Sequence, residues 1–351
     1  MKYTGLSAIA GRLFYAVRVT ATLFLGMVVM LTGCNRQGHL VEQRLLEFGT
    51  IIEITMITSD LEQAEQLLEE IEYRLSLYRD QWHAWEESDL TRFNASLAEG
   101  GSAAVPASLA RLLELSREYY DASFGLFNPA LGKLVAAHGF HGAAANADLV
   151  SEIKRDIPSM HDLLVVGQQA STDHPQLQID LGGIAKGYAI GLISKYLDAN
   201  GIKHYVVNAG GDLQTAGNRF GRPWRIGIQN PFAPGAIASL ELDGHFSLFT
   251  SGNYQRRYYR GDKLLHHIID PVSGESSTQL SSVTILGTDP VRADVAATAM
   301  MIDGIRKHRE LAESLQIDDY LIVSQSREII LSRSFADKLE LTSSWPVKII
   351  D

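Results

Sequence analysis

The chain of 351 residues has a single cysteine, Cys34. Its folded part can therefore carry neither a disulfide nor a thiolate metal site. Basic residues are also scarce: 31 Lys and Arg stand against 41 Asp and Glu, a formal net charge of −10. So acidic a balance argues against nonspecific binding to nucleic acid, and no nucleic-acid partner is expected. A phosphate ligand would have to be met by backbone amides and a metal, not by a basic patch. Long apolar runs are missing too. Val19 to Met30 is the main one, and it is shorter than the ~20 residues that span a bilayer. No internal repeat, low-complexity tract or interdomain linker appears.

What is present begins at the N-terminus. Lys2, Arg12 and Arg18 precede the apolar stretch, no acidic residue occurs before Cys34, and Leu31-Thr32-Gly33-Cys34 closes the segment. That order is a secretory signal. The tetrapeptide resembles the bacterial lipobox, in which the cysteine is acylated and becomes the new N-terminus. Residues 1–33 thus read as a lipoprotein signal peptide, Cys34 as the lipidation site, 34–44 as a polar tether and 45–345 as the folded domain. Loss of residues 1–33 removes three basic and no acidic residues, leaving −13. The expected location is the periplasmic side of a bacterial membrane, inner or outer.

The rest of the chain alternates between strand and helix patterns. Phe48 to Ile57 alternates like a strand, and Asp60 caps an amphipathic helix carrying Leu61, Ala64, Leu67, Leu68, Ile71 and Leu75. Pro106 opens a second helix in its first turn. Leu163–Val166 and Gln176–Asp180 read as short strands, and a helix from about Ala185 to Asn200 is stopped by Gly201. Several strands follow, then a helix near Arg292–Ile302 and a closing strand pair. The Gly/Ala-rich stretch His138–Ala147 is the candidate mobile loop. Runs of strands with a few helices predict an α+β fold with mixed or antiparallel sheets and flanking helices, one catalytic unit of two fused lobes.

Three glycine-containing turns follow strands: Asp180-Leu181-Gly182-Gly183, Asn208-Ala209-Gly210-Gly211-Asp212 and Thr250-Ser251-Gly252-Asn253-Tyr254. Such turns let a ligand approach backbone, and three are consistent with one pocket, although each alone serves equally as a structural turn. Asp294 and Thr298 lie four apart on one helix face. Their hard oxygens suit Mg²⁺ or Ca²⁺ and not zinc, but Arg292 could simply neutralise Asp294. His266 and His267 are adjacent on a strand and point to opposite faces, so at most one faces a given pocket. A histidine there could act as general base. His138 and His141 have ligand-like spacing without a carboxylate partner, so zinc is not expected there.

Taken in order, these segments resemble the ApbE family of periplasmic FAD:protein FMN transferases. The resemblance rests on Phe48-Gly49-Thr50, Ser88 to Asn94, Gly125 to Pro129, Asp180 to Tyr188 and Asn208 to Asp212. It continues through Pro223-Trp224-Arg225, Thr250 to Tyr254, His267 to Pro271 and Ala293 to Thr298. It implies an α+β unit that clasps FAD, with Mg²⁺ bridging the diphosphate. It implies metal ligation by Asp294, Thr298 and backbone oxygens at Gly183 and Ala297. Flavin-nucleotide contacts would come from Phe48, Tyr78, Leu126, Phe127, Asn128, Asp180, Lys186 and Ile269. His267, not His266, would be the base. The implied reaction moves FMN from FAD to a Thr or Ser hydroxyl of an acceptor flavoprotein, a subunit of a membrane redox complex, with release of AMP. An FAD pyrophosphatase and a flavin-storage lipoprotein are the rival readings. The segment Arg79–Glu87 is longer and more aromatic than the common family form, and could line the adenine side, cover the site or be a packed loop. Asn128 stands where many members have Asp.

Overall fold

The computed structural model describes residues 38–140, 142–261 and 263–351. Cys34 and residues 1–33, read above as a signal peptide, lie outside the described residues, as does His141. In chain order, β1 (His39–Glu47) and β2 (Thr50–Thr58) precede α1 (Leu61–Trp82), α2 (Asp89–Gly100), β3 (Ser102–Ala104) and α3 (Ala107–Ala122). Next come α4 (Gly132–Ala137), α5 (Ala147–Ile153), β4 (Leu164–Val166), β5 (Gln169–Ser171), α6 (Ala185–Ala199), β6 (Tyr205–Ala209) and β7 (Asp212–Ala216). The middle of the chain holds β8 (Trp224–Gln229), β9 (Ala236–Leu242), β10 (Phe246–Gly252), β11 (Arg257–Arg260), β12 (Lys263–His266), β13 (Ile269–Asp270) and β14 (Glu275–Ser276). The last elements are β15 (Leu280–Gly287), α7 (Pro290–Asp303), α8 (His308–Ser314), β16 (Asp319–Ser324), β17 (Ile329–Ser332), α9 (Arg333–Ala336), β18 (Leu339–Leu341) and β19 (Val347–Ile350).

The frame is a nine-stranded sheet in the order β1-β2-β6-β7-β10-β15-β16-β17-β19. Its neighbours are antiparallel apart from the β17–β19 pair. Alternation sorts side chains between two cores. In β16, Tyr320 and Ile322 face the larger core, with α1, α6 and α7, while Leu321 and Val323 face a smaller one, with β8, β9 and β18. Covered on both faces, β15 is buried from Leu280 to Leu286. The α+β reading, with antiparallel pairing dominant, matches this architecture.

Several boundaries differ from the sequence reading. The strand expected from Phe48 starts at Thr50, because Phe48 (φ 53°) and Gly49 (φ 69°) form the β1–β2 turn. Two left-handed residues in succession are what a twisted two-residue hairpin requires. Residues 39–44 of the expected tether are strand, their polar side chains lying on an edge of the sheet. At the other terminus the sheet continues past residue 345, through β19. Pro106 caps α3 instead of opening its first turn.

The segment Gln176–Asp180 is not a strand. Its backbone is satisfied from elsewhere: the buried Asn94 amide donates to Ile179 O and accepts from Ile179 N, both at 2.9 Å. Asn94 is carried by α2, a helix missing from the sequence reading although Ser88 and Thr91 form a capping box. The His138–Ala147 stretch does connect two helices, but its first residues are packed: His138 and Phe140 are buried.

Candidate active site

A cleft of about 550 Å³ opens where the β1–β2 turn, the end of α1, the turn before α6, the end of β10 and α7 converge. That volume lies in the range of small-molecule sites. Of the flavin, metal and base residues that the resemblance implies, Phe48, Leu126, Phe127, Asn128, Asp180, Gly183, Lys186, His267, Ile269, Asp294 and Thr298 line it. Two do not. Tyr78 is buried on the inner stripe of α1 and stacks on Trp82, with centroids 4.5 Å apart and planes at 7°, so it is Trp82 that reaches the cleft. Ala297 is buried within α7 and is not among the lining residues.

The turn before α6 is held by the Asp180 carboxylate, which accepts from Gly182 N at 2.8 Å. Packing around Asp180 raises its carboxyl, an effect opposed by the Gly182 N–H and the Arg256 guanidinium. Gly183 is pressed into the cleft wall. A Cβ there would meet Phe127 Cε2 at 3.1 Å and Thr298 Oγ1 at 3.6 Å.

Helices α6 and α7 cross at Gly187, whose N–H donates to Asp294 Oδ2 at 2.8 Å. A Cβ at Gly187 would fall 2.9 Å from Asp294 Cβ and closer still to Pro290 O. Gly187→Ala should therefore destabilise the protein by about 2 kcal/mol and displace Asp294. A thermal melt beside an activity assay checks this, and an unchanged melt with full activity would refute the tight crossing. On α7, Thr298 Oγ1 lies 3.1 Å from Ser251 Oγ at the end of β10.

The charge balance is uneven. Lys186 forms an ion pair with Asp212, whose other oxygen accepts from Thr250 N at 2.9 Å. Burial pushes the Lys186 ammonium down and the Asp294 carboxyl up, and each partly offsets the effect on the other. Lys186, not Arg292, is thus the cation facing Asp294. The Arg292 guanidinium instead acts on the Tyr119 hydroxyl, opposing the rise that burial gives it. Lys186 thus sits between two buried carboxylates, and Asp294 lies beside the hydroxyls of Thr298 and Ser251. An all-oxygen set of this kind fits a hard divalent cation. Among the described residues there is no cluster of three or more His, Cys, Asp or Glu side chains that could hold a metal. One carboxylate with hydroxyls and carbonyls suits Mg²⁺, which commonly takes its remaining ligands from water and substrate phosphate.

The two histidines separate cleanly. His267 lines the cleft. His266 is buried, with Nε2 against Ser277 O and Nδ1 accepting from Ile268 N at 3.3 Å, so its contacts define the neutral, Nε2-protonated ring. Burial lowers the pKa of both His266 and His138. A lowered folded pKa means that the unfolded chain binds more protons as pH falls. The stability these groups contribute is full above the ordinary value near 6.5 and is lost below it. The melting temperature should fall between about pH 7.5 and 5, and melts at matched ionic strength check this.

Other lining residues were seen in sequence only as unusual or not at all. The segment Arg79–Glu87 is no external cover: Trp82, His83, Ala84, Trp85 and Glu86 form one wall. His83 Nδ1 accepts from Trp85 N (3.2 Å) and Glu86 N (2.8 Å), folding the segment after α1. Its aromatic density was the available signal. Arg256 had none, because it reaches the cleft from the start of the β11–β12 hairpin. Ser251 belongs to one of the three glycine turns. The Asn208–Asp212 turn contributes through Asp212 behind Lys186, its glycines not being among the lining residues. Asn128 is fixed to the protein itself, donating to Pro158 O at 2.8 Å and accepting from Ala130 N at 3.1 Å. An Asp could not donate in that way.

Residues 48–321 match the family model described as the ApbE family. The FAD:protein FMN transferase of Rhodobacter capsulatus is 32% identical over 319 residues, which cover 89% of this chain and 61% of that protein. The chain therefore spans about three-fifths of that relative. The FAD:protein FMN transferase of Vibrio cholerae serotype O1 is 31% identical over 316 residues, covering 85% of this chain and 92% of that protein. The solved flavin transferase ApbE from Vibrio cholerae superimposes with a TM-score of 0.74 at 28% identity, covering 86% of this chain and 99% of that one. With the family model matched over most of its length and the family's fold around this cleft, the chain belongs to the ApbE family.

Proposed function

We propose that this chain is an FAD:protein FMN transferase, moving FMN from FAD to a Thr or Ser hydroxyl of an acceptor flavoprotein and releasing AMP. Its enzyme class is supported by the transferase names of its relatives. The observation that carries the finer reading is the convergence of His267 with Lys186, Asp294 and Thr298 on one cleft. A base, a cation and a hard-oxygen set are what phosphoryl transfer uses and what simple storage of flavin does not need.

In this mechanism FAD lies with its diphosphate over the Gly183–Lys186 turn. The acceptor hydroxyl attacks the FMN-side phosphorus and gives its proton to His267. The bond from that phosphorus to the bridging oxygen breaks, and AMP leaves with the bonding pair. The product is FMN joined to the acceptor by a phosphoester. Lys186, held by Asp212, keeps a fixed positive charge toward the diphosphate. Mg²⁺, when bound, would be held by Asp294, Thr298 and the Gly183 carbonyl, and would offset charge on the diphosphate. Trp82, Trp85 and Phe48 supply apolar surface and keep bulk water from the reacting phosphorus, which favours transfer over hydrolysis.

The location proposed is the periplasmic side of a membrane, anchored by acylated Cys34, where membrane redox subunits would be the acceptors. Incubation with FAD, Mg²⁺ and such a subunit tests the reaction. Flavin fluorescence that stays on the acceptor band in a denaturing gel is expected. Free FMN without labelled acceptor would mean hydrolysis, and unchanged FAD would mean storage.

A further inference from the structure

The cleft and the chain's entry into the fold lie at opposite ends of β1. The Phe48-Gly49 turn lines the cleft, whereas His39 pairs with Thr58 at the far end. Nine residues of strand separate these ends by about 27 Å. The far end also holds the loop between β7 and β8. Ile57 N donates to His204 O at 2.9 Å, and Asn218 N donates to His204 Nδ1 at 2.9 Å. That loop therefore sits beside the point where the chain enters.

The same loop and the start of β8 carry three arginines in a chain of net −10. Arg219, Arg222 and Arg225, all exposed, line a surface hollow of about 360 Å³ with Pro223 and Trp224. Trp224 is buried and anchors the loop through its indole N–H to Ala216 O at 3.0 Å. Arg219 and Arg222 exchange backbone hydrogen bonds of 2.7 and 3.2 Å, which keeps the two on one tight turn. Three carboxylates flank the group on the side of Arg225 and Asn218, away from the Arg219–Arg222 turn. Asp243 accepts from the Asn218 amide at 3.3 Å, Glu241 lies across from Arg225, and Glu340 is 4.0 Å from it.

The distance from the expected anchor matters here. Because β1 begins at His39, only five residue steps lead back to Cys34, at most about 18 Å of extended chain. A body tied so closely presents its His39 end to the bilayer. An acidic surface at that end would be repelled by anionic lipid within about a Debye length, ~8 Å, whereas arginines are drawn in. We propose that Arg219, Arg222 and Arg225 form a contact surface for anionic phospholipid headgroups, which holds the cleft mouth facing away from the membrane. The proposal rests on the Cys34 anchor reading above. It implies that an acceptor hydroxyl must reach out by about 27 Å from the surface to be modified.

The test uses the mature acylated chain on vesicles of phosphatidylcholine, with or without phosphatidylglycerol. Amides of residues 217–225 should exchange more slowly on the anionic vesicles. The Arg219→Gln/Arg222→Gln/Arg225→Gln variant should lose that protection, each change weakening the lipid-bound state about fivefold. Salt at about 1 M should have the same effect, since the Debye length then falls to about 3 Å. Equal exchange on both vesicle types, or protection that survives the triple change, would overturn the proposal. Equal exchange is also the outcome expected if the arginines serve an acidic protein instead. Failure of the anchor reading has a separate signature: the chain then washes off neutral vesicles, while salt-sensitive binding to anionic ones still reports on the arginines.

Discussion

Asp294→Asn is expected to cut FMN transfer at least about a thousandfold while leaving the fold intact. The asparagine oxygen can still accept the 2.8 Å hydrogen bond from Gly187 N, and the side chain keeps its volume, so the α6–α7 crossing survives. What disappears is the charge. Asp294 is buried, and desolvation already disfavours its ionised form. Neutralising it should leave the melting temperature unchanged or slightly higher, since a buried charge is costly. Without it, the cleft wall between Lys186 and Thr298 loses the one anionic oxygen that would draw a divalent cation. Magnesium titration of FAD binding should lose its dependence in the variant, and Asp294→Ala should lose metal binding and transfer together. If Asp294→Asn labels an acceptor within tenfold of the native rate at high Mg²⁺, the assignment of this carboxylate to the metal is wrong.

His267→Ala should lower the transfer rate by about 10²–10⁴-fold, the usual worth of a positioned base, with FAD affinity and melting temperature nearly unchanged. His267 is half-buried on the cleft wall, so its removal opens little core. The neighbouring change makes the contrast. His266→Ala would strip Ile268 N and Ser277 O of partners in a buried place, and each such loss costs about 1–3 kcal/mol. That variant should melt earlier while the folded fraction keeps its activity. Initial rates of acceptor labelling, measured beside thermal melts for both variants, separate the roles. Rates for His267→Ala above about a tenth of native would move the base elsewhere.

The cleft residues differ in how legible they were. The face shared by Asp294 and Thr298 followed from helical spacing, because an i, i+4 pair is adjacent whatever surrounds it. The stripe read on α1 ended at Leu75; the structure extends it through Tyr78, which is buried, and Trp82, one turn on, lines the cleft. The strand pattern of Gln176–Asp180 misled for another reason: alternation does not reveal what satisfies a backbone. Here the partner is Asn94, 85 residues away.

By itself the sequence determined the acidic balance, the α+β class, the glycine turn ahead of α6, the Asp294–Thr298 face and the rule that one histidine of the pair faces away. These are local properties, set by composition and by the periods of helix and strand. Only the tertiary structure decided that His267 and not His266 meets the cleft, that Lys186 and not Arg292 faces Asp294, and that Trp82, Trp85 and Arg256 complete the wall. It also decided that the β7–β8 arginines stand beside the chain's entry, at the far end from the cleft. Each of these depends on which segments distant in sequence are brought together by sheet order and by the α6–α7 crossing, and no local pattern encodes that.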